Sequence, residues 1–144
     1  MQHQESELEI RCVTWFRYTY PAFQNLLMHP KNEGDGNRVS GAIAKAEGVV
    51  PGVPDLMLLL PAVYKDKKYN LLGIELKTPK GKQGPSQKVF EAYFEASGSH
   101  YIIIRDDDSF RAAVEDYMQH VPTTARNAVK KVKKMQENQE KKEI

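Results

Sequence analysis

The stretch from Pro54 to Lys77 limits what this chain can fold into more than any other. It holds two apolar runs, "DLMLLLP" beginning at Asp55 and "YNLLGIELK" ending at Lys77, with the short polar segment "PAVYKDKK" between them. Apolar runs of this length, bounded by turn residues, read as buried strands. A connection that short makes the two strands an antiparallel pair. A buried strand spends its positions on packing, so the charges at Glu75 and Lys77 need a reason.

Strand side chains alternate between faces. Glu75 and Lys77 therefore share one face, and Leu76 points the other way, into the core. If the runs 55–60 and 70–76 pair as a hairpin, Asp55 at the start of one lies near Glu75 at the end of the other. Two carboxylates and an ammonium then meet at one end of a sheet. Close carboxylates resist joint ionisation, and a bound cation removes that penalty. Oxygen donors without His or Cys partners select a hard ion, Mg²⁺ or Mn²⁺. Such a set is what phosphodiester hydrolysis needs. Taken alone, E-x-K also fits a surface ion pair on an edge strand. The Pro-Asp pair before an apolar run, and Gln87 in the first turn of the next helix, favour the metal-site reading.

The rest of the chain supplies layers for that sheet. Ser6 to Tyr20 reads as a helix, with Leu8, Cys12, Trp15 and Phe16 at helical spacing and Ser6 and Glu9 as a capping box. "FQNLLMHP" reads as a short strand, "KNEGDGN" as a loop and "RVSGAIAKAEG" as a short helix. "PSQKVFEAYFEAS" is a helix with Pro85 in its first turn, "HYIIIR" a buried strand, and "DDDSFRAAVEDYM" a helix capped by an aspartate or Ser109. The strand at 100–105 follows a helical crossover, so it runs parallel to 70–76. The expected class is α/β, a central mixed sheet flanked by helices.

At 144 residues one domain is the default. The expected division is a folded unit over 1–120 and a basic tail or helix over 121–144. That last segment has seven Lys or Arg against three Glu, which leaves the body slightly acidic. A basic tail suits nucleic acid, and it equally fits a solvated terminal helix. Cys12 is alone, so no disulfide framework exists and a reducing, cytoplasmic setting is expected. The polar start "MQHQESELE" does not read as a signal peptide, and no apolar run reaches membrane-spanning length.

The combination "GVPDL", "ELKTPKG" and a following "SQK" resembles the PD-(D/E)XK nuclease superfamily, and more closely its stand-alone VRR-NUC domains from phages and bacteria. The resemblance runs from about Ser6 to Met118, through "SELEIRCVTWFRYTYP", "KAEGVVPGVPDLMLLLP", "GIELKTPKGKQGPSQKVF" and "FRAAVEDY". It implies a restriction-endonuclease-like core and a metal-dependent DNA endonuclease, selective for branched DNA such as a four-way junction and acting as a homodimer; the alternatives are a flap or single-strand nuclease, or a DNA-binding module of the same fold without turnover. It assigns Asp55 and Glu75 to the Mg²⁺ or Mn²⁺ ion, the Leu76 carbonyl as a further ligand, Lys77 as the catalytic lysine and Gln87 as the helix glutamine. It matches the acid of the first helix to Glu7, with Glu5 and Glu9 as competitors. One departure is Gly84, where relatives often carry Ser or Thr before the proline. Lys80, Lys82 and Lys88 flank the site and suit the DNA backbone; Arg38 and Lys45, on the short helix leading to Asp55, are further candidates. Asn32 fits a turn better than a DNA contact.

Overall fold

The computed structural model describes residues 3–30 and 38–143. The chain begins with helix α1 (His3–Thr19), followed by a 3₁₀ turn (Pro21–Leu26) and the two-residue strand β1 (Leu27–Met28). Helix α2 (Arg38–Ala46), strands β2 (Leu56–Leu58), β3 (Ala62–Tyr64), β4 (Lys67–Tyr69) and β5 (Leu72–Leu76), helix α3 (Pro85–Ala96), strand β6 (His100–Ile104) and helices α4 (Asp107–Gln119) and α5 (Thr123–Lys142) follow.

The main sheet has the order β1-β2-β5-β6. The β2–β5 pair is antiparallel with Leu56 opposite Ile74, and β6 runs parallel to β5 with Glu75 opposite Ile103. Both directions are as the loop lengths require. Alternation sorts the side chains of β5. Leu72, Ile74 and Leu76 join one core with Leu8, Cys12 and Phe16 of α1 and Phe110, Val114, Tyr117 and Met118 of α4. Gly73 and Glu75 face the other way, toward α3. A Cβ on Gly73 would lie 2.9 Å from the Phe94 ring and 3.1 Å from Pro54, so the bare residue lets α3 close on the sheet.

Three local expectations change. α1 starts at His3, so Ser6 lies inside the helix and the Ser6–Glu9 capping box does not form. "FQNLLMHP" yields only two strand residues, because Pro21 initiates a 3₁₀ turn through Leu26. The polar connection is itself a ribbon, β3 against β4, with Tyr64 and Tyr69 meeting edge to face at 5.7 Å. Of the two forms expected after Val121, a basic tail or a helix, the segment takes the second, a 20-residue helix. Its Ala, Lys, Gln and Glu content favours a helix without a strong apolar period, and half-buried Ala125 and Val129 attach it to the body. The aspartate cap of α4 is present: Asp106 accepts a hydrogen bond from the Ser109 N–H at 2.7 Å. No helix among the described residues is long and apolar enough to cross a membrane.

Candidate metal and nuclease site

Continuing the β2–β5 register by one step sets Asp55 opposite Glu75. Both are almost fully buried, at 6% and 2% exposure. Asp55 stands just ahead of β2, at the end of the turn Pro51–Pro54. Gly52 in that turn has φ +85°, and a Cβ there would run into the Ser86 carbonyl. Only glycine accepts both the dihedral and the close approach, so this residue seats the Asp55 turn on the start of α3.

Each carboxylate has one oxygen tied from inside the protein. Asp55 Oδ2 accepts the Leu76 backbone N–H at 2.7 Å, and Glu75 Oε2 accepts the Tyr101 hydroxyl at 3.0 Å. In a strand the N–H and C=O of one residue point to the same side. The Leu76 carbonyl is therefore directed to the Asp55 side of β5. The Lys77 N–H donates instead to the Ile104 carbonyl on the β6 side, at 3.0 Å.

Burial pushes the Glu75 carboxyl well above the usual carboxylate range; its hydrogen bond and charge interaction with Asp55 add to the rise, and Tyr101 and Lys77 oppose it. The pair thus resists holding two negative charges. A divalent cation between them is the group that would let both ionise, and their all-oxygen chemistry fits Mg²⁺ or Mn²⁺. Among the described residues no three His, Cys, Asp or Glu side chains converge as a complete metal cage. That also fits Mg²⁺, which takes one or two carboxylates and fills its shell from water and substrate phosphate.

On the first helix the Glu9 side chain is 18% exposed and its carboxylate lies 3.0 Å from His29 Nδ1; burial is the main cause of its raised pKa, with a small contribution from the Asp55 charge. Glu7 is not brought to the site. It lies about 140° around the helix from the line of Leu8, Cys12 and Phe16, is half exposed and pairs with His3 at 2.9 Å. Glu5 is half-buried on the first turns of the same helix.

Gln87 is near by virtue of the Gly52–Ser86 approach, yet its Oε1 accepts the Gly84 N–H at 2.8 Å. It is half of a capping box, since Gly84 has no side chain to return the bond. The Nε2 amide remains as a donor. Lys80, Lys82 and Lys88 are exposed around this end, Lys45 is exposed on α2, and the side chain of Arg38, like Asn32, lies outside the described residues.

Four contributors carry no sequence motif. Tyr101 reads as one more apolar residue of "HYIIIR", and His29 as one residue of a short strand. Gln83 donates to Glu91 at 2.9 Å and also bonds the Tyr101 hydroxyl, steadying it from behind. Arg105 gathers the carbonyls of Thr78 at 2.8 Å and Gly81 at 2.6 Å, which fixes the loop that carries Lys80 and Lys82. Only the parallel register of β6 beside β5 could have exposed Tyr101 and Arg105.

A solved structure described as a VRR_NUC domain protein superposes with a TM-score of 0.69 over 84% of this chain and 93% of its own, at 18% sequence identity. The fold is that of a VRR-NUC domain. The mixed sheet flanked by helices is accordingly a PD-(D/E)XK-like core. No protein-family model matches the chain, and no curated protein does.

Proposed function

We propose that this VRR-NUC-fold protein is a metal-dependent endonuclease that hydrolyses DNA phosphodiester bonds, with branched DNA as its preferred substrate. The observation that carries the reading is the buried Asp55–Glu75 pair. Each carboxyl is tethered through one oxygen, Asp55 Oδ2 by the Leu76 N–H and Glu75 Oε2 by the Tyr101 hydroxyl, and the two carboxyls hydrogen-bond each other. A cation would replace that bond between them, and the two carboxylates and the Leu76 carbonyl are the groups that would hold Mg²⁺ or Mn²⁺. When bound, the ion supplies Lewis-acid stabilisation of charge on the phosphate.

The remaining roles fall to the chain itself. Tyr101 and the Leu76 N–H fix the carboxylates. Lys77, on the same face as Glu75, places its ammonium where the attacking water and the phosphate oxygens meet. Water oxygen bonds to phosphorus as the bond to the 3′-oxygen breaks. Gln87 Nε2 can hold a phosphate oxygen at the mouth of the site, with Lys80, Lys82 and Lys88 along the DNA backbone. The two-fold symmetry of a four-way junction matches two such sites, so we extend the proposal to a homodimer.

The test is cleavage of a labelled four-way junction beside linear duplex, flap and single strand, with Mg²⁺, Mn²⁺ or EDTA, by wild type and Lys77→Ala. Paired symmetric cuts, lost in EDTA and in the variant, are expected. Cutting confined to flaps or single strands would remove the junction preference. Binding without cutting would remove the enzyme.

A further inference from the structure

Helix α5 is left unexplained by the site. Lys130, Lys131, Lys133 and Lys134 fall within five positions, and Arg126, Lys130, Lys133, Lys134 and Lys141 share one side of the helix. No ion pair involves any of them among the described residues. Like charges three and four positions apart repel within a helix. A row of this kind, kept without acidic partners over residues 126–136, calls for an external anion. From Arg126 to Lys134 this acid-free part of the row is about 12 Å long, the length of about four base pairs, and Glu137 and Glu140 follow it on the same side.

The position of α5 adds to its charge. It packs against the 3₁₀ turn Pro21–Leu26, with the Arg126 guanidinium 5.8 Å from the Phe23 ring centre. A cleft of about 170 Å³ runs between that turn and α5, with Val132 and Lys133 on its α5 wall. A second cleft, about 520 Å³, lies on the other side of the turn and ends on Glu9 and His29, with Arg17 on its α1 wall. Gln24 and Asn25 line both clefts, so the two meet across the turn. Amides and cations thus lead from α5 to Glu9 and His29. The sole carboxylate along this path is Glu9, which His29 already faces.

We infer that α5 and the 3₁₀ turn form a second DNA-backbone surface, which holds a duplex arm leading away from the scissile phosphate. The inference rests on the nuclease reading of the Asp55–Glu75 site. The occupant is a polyphosphate backbone rather than a lipid surface, because the apolar side of α5 is small. Ala125 and Val129 are used against the body, and Val132 and Met135 are the large apolar residues left exposed on α5 among the described residues. A helix lying in a membrane interface needs a broad apolar face.

The experiment measures binding in EDTA, so that no strand is cut, of a duplex with an arm of about 20 base pairs and of one too short to reach α5. The proteins are wild type and the triple variant Lys130→Gln, Lys133→Gln, Lys134→Gln. Every DNA phosphate that is no longer neutralised lowers the slope of log affinity against log salt by about 0.9. The expected result is a slope lower by about two to three and at least a tenfold loss of affinity on the long arm, with the short duplex unchanged. The triple Lys→Arg variant should restore both, and circular dichroism should show α5 intact in each. Unchanged affinity and slope on the long arm would overturn the inference, as would loss of binding to anionic vesicles with DNA binding kept. The readings fail separately: a wild type that cuts nothing in Mg²⁺ removes the nuclease, whereas one that cuts while the variant keeps its slope removes the α5 surface.

Discussion

The two ends of the central strands are built by opposite rules. At the end where β5 stops, Asp55 and Glu75 are buried face to face and held by one N–H and one O–H. At the other end the polar groups serve one another. Tyr64 stacks on His120 with ring centres 3.8 Å apart and donates to Asp116 at 2.9 Å, while Tyr69 stacks on His100 at 4.6 Å. Burial favours the neutral form of His100, whose Nδ1 has no hydrogen-bond partner among the described residues. Buried like charges are retained against a stability cost where something outside the chain compensates them, whereas aromatic stacks stabilise what is already there. Under the proposed function the first end is arranged for a ligand, whereas the second serves the fold.

The largest effect that would break this contrast is at Glu75. Glu75→Gln should lower cleavage at least about a hundredfold and, in EDTA at neutral pH, raise stability by about 1–2 kcal/mol. Loss of both activity and stability would place Glu75 with the structural end instead. The pH dependence sharpens the point. The folded pKa of Glu75 is raised, so its contribution to stability is full below the ordinary carboxyl value near about 4.3 and is lost as pH rises through the folded value. Melting in EDTA should therefore drop with rising pH above that point in wild type, and the drop should shrink in Glu75→Gln. Mg²⁺ should recover stability more at pH 8 than at pH 5.

Tyr101→Phe comes next. The hydroxyl reaches the carboxylate and not the substrate, so its removal should weaken Mn²⁺ binding by about 10–100-fold. Calorimetric titration with Mn²⁺ measures this without turnover. Unaltered affinity would mean that Gln83, Tyr101 and Glu75 are linked for packing alone. A smaller effect separates the two acids of α1. Glu9→Gln should cost about tenfold in cleavage, while Glu7→Gln, on the exposed face beside His3, should cost nothing. The reverse result would restore the motif-based match to Glu7.

These positions also show what was legible in the sequence. The meeting of Asp55 and Glu75 could be read because the signal is local: a charge interrupts an apolar strand, and strand alternation plus a short connection fixes who meets whom. The antiparallel and parallel pairings followed for the same reason. Glu9 could not be read, because three acids at positions 5, 7 and 9 differ only in their angle on a helix that starts at His3 rather than at Ser6. Tyr101 and Arg105 act through the register of β6 on β5, and no local pattern encodes a register between strands 26 residues apart. The β3–β4 ribbon was hidden by its lysines, which are solvated on a short hairpin held by Tyr64 and Tyr69. The charges of α5 were visible, but its packing on the 3₁₀ turn, which gives them a direction, was not.

The smallest expected effect tests the structural end alone. Tyr64→Phe removes one hydroxyl and leaves the ring. The ring keeps its stack on His120 and its edge-to-face packing on Tyr69, so the ribbon should stay folded. What disappears is the 2.9 Å bond to Asp116. That carboxylate is near enough to solvent to be rehydrated, so the cost should be about 0.5–1.5 kcal/mol, read as a shift in the urea midpoint at unchanged slope. Cleavage and Mn²⁺ affinity should match wild type, because among the described residues no hydrogen bond or stack joins this cluster to Asp55 or Glu75. A loss of activity without loss of stability would show that the ribbon touches substrate, and the division between the two ends would fail there.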